Sequence, residues 1–420
     1  MKTKKTKAIG SIILNNKKVI ENYFFMTVLQ VLNSFFNLFL YPYFINTLGV
    51  EHYGIYVYAF SIVTYFSTFI MFGFDLPAIK RVVNIRDSVE KKSEIVSTIF
   101  TAKIYLQLVA FLVFMGVIFS LPSLKQNYEL YLILFLNTFS NILFPSWYFQ
   151  AVQKMKWVTA IQLLSKLISL PFIFLFVKRP EDLKLFVIIF TSTNLLGGLL
   201  ATIVLFFYEK IRMQFTSFSV VMKWYKEALP LSLTSFVGIM KEQGVILIIG
   251  MFFGMREVAI YDLANKVLSI PRFLFTSVNA AIFPKLLEDL KIEKVKKIIK
   301  YEYIIGVILM VILATFGYWA ILLLGGEQMI EAYTLLLALS PTIPIWLVVG
   351  AYIYFVFLPN QLNYLITYNQ IVAMCSFFLL SFIGIVLSDK IIVLCIAMTL
   401  SGLIEIVFCR YSIKKYNLLQ

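Results

Sequence analysis

The sequence predicts an all-α polytopic membrane protein of about twelve transmembrane helices, and three observations support that fold class. Apolar residues make up 60% of the 420-residue chain and charged residues only 14%, whereas a soluble domain carries about a quarter charged residues. Apolar stretches of about 20 residues, long enough to cross about 30 Å of hydrocarbon, recur along the whole length. The segments between them are short and basic, as is typical of cytoplasmic loops.

Twelve predicted spans account for most of the chain. They run roughly over residues 20–47, 53–79, 95–121, 129–151, 157–178, 183–208, 228–253, 257–284, 301–325, 330–358, 361–388 and 390–411. The longest hydrophilic connections are residues 80–94, 209–227 and 285–300. None of these connections is long enough to hold a soluble domain.

The formal net charge of +15 is concentrated in alternate connections. When the N-terminus is placed inside, the cytoplasmic segments hold most of the Lys and Arg residues and the external segments hold few, which is the positive-inside pattern. Both termini are therefore expected in the cytoplasm. The same distribution argues against nucleic acid as a partner, because that would require a basic groove on a soluble module. The lipid bilayer is the expected partner.

A shift of 205 residues aligns the chain with itself. Gly49 then meets Gly254 and Tyr56 meets Tyr261, at the turn between the first two spans of each half. Six spans per half is an even number, so the halves keep one orientation and form a parallel repeat. Chance similarity among apolar helices is the alternative. The repeat predicts two related six-helix bundles around a central cavity.

The predicted organisation has five parts. They are a cytoplasmic basic N-terminal arm (1–18), an N-terminal six-helix lobe (19–208), a cytoplasmic linker (209–227), a C-terminal six-helix lobe (228–411) and a cytoplasmic tail (412–420). The apolar run in the arm is too short for the core of a signal peptide, and no small-residue cleavage site follows it. We therefore expect that the arm is not removed as a signal peptide and that it lies on anionic lipid.

A few ionisable residues lie within the predicted spans, where each is costly and suggests a function by default. The cations are Lys103, Lys166, Lys241, Lys266 and Arg272, and the anions are Asp75, Glu242, Asp262 and Glu405. Lys103 and Asp75 lie near span ends, so an interfacial position is an alternative for both. Asp262 and Lys266 are four residues apart, and a purely structural ion pair is the alternative to a functional role.

Polar residues form stripes along four spans. The stripe is charged in the seventh and eighth spans and neutral in the first and second. Because lipid contact would be too costly, such a stripe faces the bundle interior or a water-filled cavity. The candidate cavity-lining residues are Asn33, Asn37, Ser61, Thr64, Ser67, Ser269, Thr276 and Asn279. The five cations listed above would suit an anionic substrate in that cavity.

No catalytic apparatus is visible in the sequence. It contains no HExxH motif, no Gly-x-Ser-x-Gly motif and no phosphate loop. The single histidine and the three dispersed cysteines form neither metal-ligand spacing nor a disulfide framework. We therefore expect a protein that is not an enzyme, with no catalytic residue, metal or cofactor.

Four segments give the chain a resemblance to a known family. Their ranges and sequences are 48–56 (LGVEHYGIY), 73–78 (GFDLPA), 145–155 (PSWYFQAVQKM) and 258–266 (VAIYDLANK). The third is the most specific and is similar to a Trp-x-Phe-Gln-Gly-x-x-x-Met pattern, with Ala151 in place of the usual glycine. Over nearly its whole length, the chain resembles the Wzx-type polysaccharide (O-antigen and repeat-unit) flippases. These belong to the multidrug/oligosaccharidyl-lipid/polysaccharide exporter superfamily.

The resemblance implies a transporter for surface polysaccharide biosynthesis. Its substrate would be an undecaprenyl-diphosphate-linked oligosaccharide, moved from the cytoplasmic to the periplasmic leaflet of the bacterial inner membrane by alternating access. Lys241, Lys266 and Arg272 are then candidate contacts to the pyrophosphate. Glu242 or Asp262 would carry a coupling proton or sodium ion. A monomer is expected, with the polymerase of the same pathway as a candidate partner.

Two other functions stay open at this point. A small-molecule or drug exporter of the same superfamily would share the fold, although the motif at residues 147–155 argues against it. A membrane enzyme acting on lipid-linked sugars would need a large external loop or domain, and the external connections in the sequence are short.

Overall fold

The predicted helical fold is confirmed by a computed structural model, which describes residues 2–85, 88–287 and 292–419. Side chains are described in these ranges apart from residues 2–20, 22–23, 30, 34–35, 37, 123 and 273–287. Every regular element of the described residues is helical. The α-helices are α1 Lys2–Met71, α2 Asp75–Asn84, α3 Val89–Ser120, α4 Pro122–Lys125, α5 Tyr128–Leu136, α6 Thr138–Leu143, α7 Ser146–Ala151, α8 Met155–Phe176, α9 Leu183–Phe207, α10 Phe218–Phe252, α11 Met255–Leu287, α12 Ile292–Gly325, α13 Ala332–Leu339, α14 Thr342–Tyr352, α15 Asn363–Leu387 and α16 Ile392–Lys415. Short 3-10 helices at Pro180–Asp182 and Glu327–Met329 and a π-helix at Ile353–Phe357 complete the set.

The helices are long enough for a multi-pass membrane protein. Ten helical stretches among the described residues are long and apolar enough to cross a membrane. The first two predicted spans count as one of them, because they form the continuous stretch Phe24–Asn84. Helix α11, which carries Asp262, Lys266 and Arg272, is not among the ten.

The chain divides into two compact units. Unit 1 contains Met1–Phe36 and Val63–Ser235, and unit 2 contains Asn37–Ile62 and Phe236–Gln420. Compared with the predicted lobes, two segments are placed differently: Asn37–Ile62, in the middle of α1, belongs to unit 2, and residues 228–235 belong to unit 1. Helix α1 therefore contributes residues to both units.

Unit 1 is packed around α9. That helix contacts α5, α6 and α8, and α2 lies against α7. The rings of Phe114 and Phe135 stack in the interior with their centroids 4.2 Å apart. Helix α3 begins after Ser88, whose side-chain oxygen accepts a hydrogen bond from the Lys91 amide and so caps the first turn.

Unit 2 is packed mainly through three helix pairs. These are α15 with α16, α12 with α14, and α11 with α13. Around the π-helix that follows α14, a core cluster includes Tyr352, Phe355, Phe357, Leu365 and Cys409. Partly buried apolar side chains, among them Ile298, Ile353 and Ile406, pack against this cluster.

The fourth span of each half is interrupted at a related place. In unit 1 the span is divided at Asn137 and again at Pro145, and in unit 2 it is divided at Pro341. A shift of 205 residues maps Asn137 onto Thr342, the first residue of α14. Proline favours such breaks because it removes a backbone donor. The shared interruption agrees with the internal repeat that the sequence predicts.

The turns between the first two spans of each half also agree. Gly49 has a φ of 78° and Gly254 a φ of 111°. Glycine adopts this left-handed region readily because it has no Cβ. The same conformation at positions 205 residues apart explains why glycine stands at both.

The segment Asn37–Ile62 packs closely enough to test by substitution. A Cβ atom at Gly54 would overlap the carbonyl oxygen of Met255, whereas one at Gly116 in α3 would meet nothing within 4 Å. We expect Gly54→Ala to lower the free energy of unfolding by about 1–3 kcal/mol through overpacking. Gly116→Ala, the matched control, should leave it unchanged or raise it by up to about 1 kcal/mol. Thermal unfolding of the purified variants in detergent measures both, and equal transitions would contradict the packing described.

Candidate functional site

The charged side chains of unit 2 form two clusters, of which the first joins α10, α15 and α16. The Lys241 ammonium lies 2.5 Å from the Glu405 carboxylate, and the two side chains are 14% and 13% exposed. The Asn369 amide donates to the other carboxylate oxygen at 3.4 Å, and the Cys409 thiol donates to the Asn369 side-chain oxygen at 3.5 Å. Glu405 was a mid-span anion in the sequence without an assigned role, and the structure makes it the partner of Lys241.

Two more charges belong with this first cluster. Glu242 is exposed on α10 and interacts electrostatically with Arg272 and Lys241. The Arg272 guanidinium donates to the Thr342 hydroxyl at 2.7 Å. Thr342 is the first residue of α14, so the break in the tenth span supplies the oxygen that Arg272 contacts.

The second cluster joins α11 to the α1 segment of unit 2. Lys266 forms an ion pair with Asp262, one turn earlier on α11. Its ammonium also donates to the Tyr53 hydroxyl at 2.8 Å, and that hydroxyl donates to Asp262 at 3.1 Å. The Tyr41 ring lies 5.1 Å from the ammonium, and the Tyr41 hydroxyl donates to the Ala259 carbonyl at 3.2 Å. Asp262 and Lys266 therefore pair as the sequence allowed, inside a network that the sequence did not reveal.

Unit 1 contains two mid-span cations with different surroundings. Lys103 on α3 is 2% exposed, and its ammonium lies 3.9 Å from Asp75 and 3.4 Å from the Met71 sulfur. It is therefore buried within the protein. Lys166 on α8 is half-buried, with its ammonium 4.4 Å from the centre of the Phe36 ring.

The neutral cavity candidates are distributed over both units. In unit 1 the Asn33 amide donates to the Gln162 side-chain oxygen at 3.3 Å, and Thr64 and Ser67 are half-buried. In unit 2 the buried Ser61 hydroxyl donates to the Tyr58 carbonyl at 2.7 Å, and the Ser269 hydroxyl donates to the Lys266 carbonyl at 2.7 Å. The side chains of Asn37, Thr276 and Asn279 lie outside the described residues.

The most specific sequence motif forms part of the core of unit 1. Trp147, Tyr148 and Phe149 of α7 are all buried. Glu209 joins this motif to the chain after α9, because it accepts a hydrogen bond from the Tyr148 hydroxyl at 3.4 Å and pairs with Lys154 at 2.6 Å. The motif thus fixes the end of the sixth span. Glu209 is a residue that the sequence pattern alone did not single out.

No metal centre is formed by the part of the chain that the structure describes. Within those ranges, no three His, Cys, Asp or Glu side chains come close enough to hold a metal ion. What the two clusters offer chemically is a set of mostly half-buried ammonium, guanidinium and carboxylate groups on α10, α11 and α16.

The sequence matches the family of polysaccharide biosynthesis proteins over residues 19–289, which is more than half of the chain. The chain belongs to this family. Another protein that it resembles comes from Escherichia coli (strain K12) and is provisionally named as an O-antigen transporter. The two are 26% identical over 289 residues, which cover 68% of this chain and 69% of that relative. The resemblance drawn from the sequence motifs is thereby confirmed.

Two solved structures share the fold of this family member. The lipid II flippase MurJ, in an inward closed conformation, gives a TM-score of 0.71 at 16% identity, over 94% of this chain and 87% of its own. An inward-facing multidrug resistance transporter of the MATE family, from the MOP superfamily, gives a TM-score of 0.68 at 12% identity. The match covers 93% of this chain and 98% of that transporter. At these identities, the likeness establishes the fold and leaves the substrate to other observations.

The Lys241–Glu405 pair predicts a large interaction energy inside the membrane. Lys241→Met leaves the Glu405 carboxylate without its cation, and Glu405→Gln leaves the ammonium without its anion. We expect each single change to cost about 2–4 kcal/mol of unfolding free energy, and the double change to recover most of that loss. A double-mutant cycle followed by thermal unfolding measures the interaction.

The matched control is the exposed pair Arg256–Glu331. The guanidinium lies 2.9 Å from the carboxylate, and the side chains are 44% and 63% exposed. Its coupling should stay below about 1 kcal/mol because water screens it. Coupling energies of the same size at the two pairs would contradict the assignment of Lys241 and Glu405 to an apolar interior.

Proposed function

We propose that this protein moves an undecaprenyl-diphosphate-linked oligosaccharide from the cytoplasmic to the periplasmic leaflet, for the biosynthesis of a surface polysaccharide. The observation that carries the proposal is the membership of the polysaccharide biosynthesis family over residues 19–289. The relative named as an O-antigen transporter supports a role in transport. Because of that relative, we propose transport and not catalysis.

The charges within the spans suit the proposed substrate. A phosphate oxygen can replace a carboxylate oxygen on an ammonium or guanidinium group, because both acceptors carry negative charge and accept the same donors. We therefore propose three pyrophosphate contacts, Lys241, Lys266 and Arg272. On binding, the substrate would replace their internal partners, which are Glu405, Asp262 and Thr342 respectively. Lys103 would have to leave a fully buried place beside Asp75, so it is the least accessible of the predicted cations.

Asp262 is our proposed coupling group. A proton or sodium ion bound to its carboxylate would weaken the ion pair with Lys266 and the hydrogen bond from Tyr53. Residues 41–53 of α1 would then lose part of their attachment to α11. Glu242, which interacts with Lys241 and Arg272, is the second candidate. Alternating access driven by an ion gradient follows from such a coupled release.

We also propose the setting of the transporter. The cytoplasmic membrane of a bacterium, with both termini in the cytoplasm, agrees with the basic residues of alternate connections. Lipid-linked substrate is made on the cytoplasmic side and used on the other, so the polymerase of the same pathway is the proposed partner. The protein is proposed to act as a monomer.

Neutralising two of the proposed contacts tests the function. We expect Lys266→Gln combined with Arg272→Gln to reduce surface polysaccharide at least about tenfold, because charge-assisted contacts to the diphosphate are lost. Arg256→Gln, which removes an exposed charge at the start of α11, should leave polysaccharide unchanged. Both variants are compared at equal amounts of protein in the membrane. Normal polysaccharide in the double variant, or loss of drug efflux instead, would count against the proposal.

Cysteine labelling tests the proposed orientation. In a variant without Cys375, Cys395 and Cys409, single cysteines replace two exposed glutamines, Gln126 and Gln214. A membrane-impermeant maleimide should label position 126 in intact cells, and position 214 only after permeabilisation. The reverse pattern would place both termini outside.

A further inference from the structure

The mid-span charges of the two units are balanced differently. In unit 2, the mid-span cations Lys241, Lys266 and Arg272 are matched by the anions Glu242, Asp262 and Glu405, with which they pair or interact. In unit 1, Asp75 lies beside Lys103. Lys166 is the cation in excess, because no carboxylate among the described residues lies within ion-pair distance of it. An unmatched ammonium in a membrane span is costly and requires a reason.

The surroundings of Lys166 contain hydrogen-bond donors and an aromatic ring. Its ammonium lies over the Phe36 ring at 4.4 Å, an interaction that is weaker than an ion pair. Gln162 precedes Lys166 by four residues and Asn33 precedes Phe36 by three, so each pair shares one helical face. The Asn33 amide donates to the Gln162 oxygen at 3.3 Å. Among the described residues, the amide hydrogens of Gln162 and the second amide hydrogen of Asn33 have no acceptor.

We propose that Lys166, with Gln162 and Asn33, is a phosphate-binding subsite of unit 1 that takes the diphosphate of a polyprenyl-linked substrate. Three N–H donor groups and one positive charge, without a carboxylate, match a phosphate and would repel a metal cation. Lys166 is half-buried and not fully enclosed. The inference rests on the proposed function, and it identifies Lys166 as the cation that is ready for substrate without first releasing an internal partner.

A comparison with the first cluster of unit 2 supports this assignment. There Lys241 has an internal counterion, Glu405, and a hydrogen-bonding neighbour, Asn369. Lys166 lies against the Phe36 ring and shares its helical face with the amide of Gln162. Its lack of a counterion among the described residues is expected if the substrate supplies one.

Binding of a short polyprenyl diphosphate tests the subsite. The full chain is reconstituted in nanodiscs of zwitterionic lipid and titrated with farnesyl diphosphate, with farnesol as the phosphate-free control, and thermal unfolding gives the Kd. We expect stabilisation by the diphosphate alone. Lys166→Met should raise the Kd at least about tenfold, and Lys166→Arg should keep it within about threefold of the wild type. Lys156→Met, which removes an exposed charge from the same helix, should leave it unchanged.

A second readout separates binding from a structural role. Because Lys166→Met removes an unmatched charge from the membrane, we expect the empty variant to unfold at a temperature equal to or above that of the wild type. A lower temperature would mean that Lys166 has a structural role, and the proposal would be wrong. It would also be wrong if Lys166→Met bound the diphosphate normally, or if Lys156→Met weakened binding as much.

The subsite and the proposed function can fail separately. If the wild type binds farnesyl diphosphate through Lys166 but moves no lipid-linked oligosaccharide, the subsite stands and the proposed function is wrong. If the wild type moves the oligosaccharide and Lys166→Met does so equally well, the function stands and the subsite is wrong.

Discussion

An ionised side chain inside hydrocarbon needs a partner, and much of this structure follows from that requirement. The need for a partner explains why α10, α15 and α16 meet at Lys241, Glu405 and Asn369. It also explains why the α1 segment of unit 2 places two tyrosines against Lys266 and Asp262. In these two clusters, each charge is matched by a group on another helix or on another turn of its own. The polar contacts thereby connect helices that are far apart in the sequence.

A transporter adds a second requirement, since its charges must also be exchangeable. An ion pair in an apolar interior gains little net free energy, because desolvation offsets much of the attraction. A substrate phosphate or a bound ion can therefore replace one partner at modest cost. Under the subsite that we propose, Lys166 is the limiting case, in which the substrate supplies the counterion.

The sequence is sufficient to predict the helical membrane fold, but it does not show which charged side chains pair. Apolar runs predicted the membrane helices, since the bilayer fixes helix length. The 205-residue shift aligned Gly49 with Gly254, and both have a positive φ. Which carboxylate meets which cation depends on contacts between helices far apart in sequence, so Glu405 and Glu209 were not assigned roles. Chain order alone assigns the segment Asn37–Ile62 to the first lobe, because it carries no information about the packing of that segment in unit 2.

The central claim is transport of a diphosphate-linked sugar, and reconstitution tests it most directly. Proteoliposomes containing the full-length protein and a labelled polyprenyl-diphosphate oligosaccharide are exposed to a membrane-impermeant enzyme that modifies the sugar. If the protein transports this substrate, we expect the modified fraction to exceed that of protein-free vesicles. A polyprenol-linked sugar without phosphate should show no such increase. A modified fraction equal to that of protein-free vesicles, with the protein folded and inserted, would contradict transport.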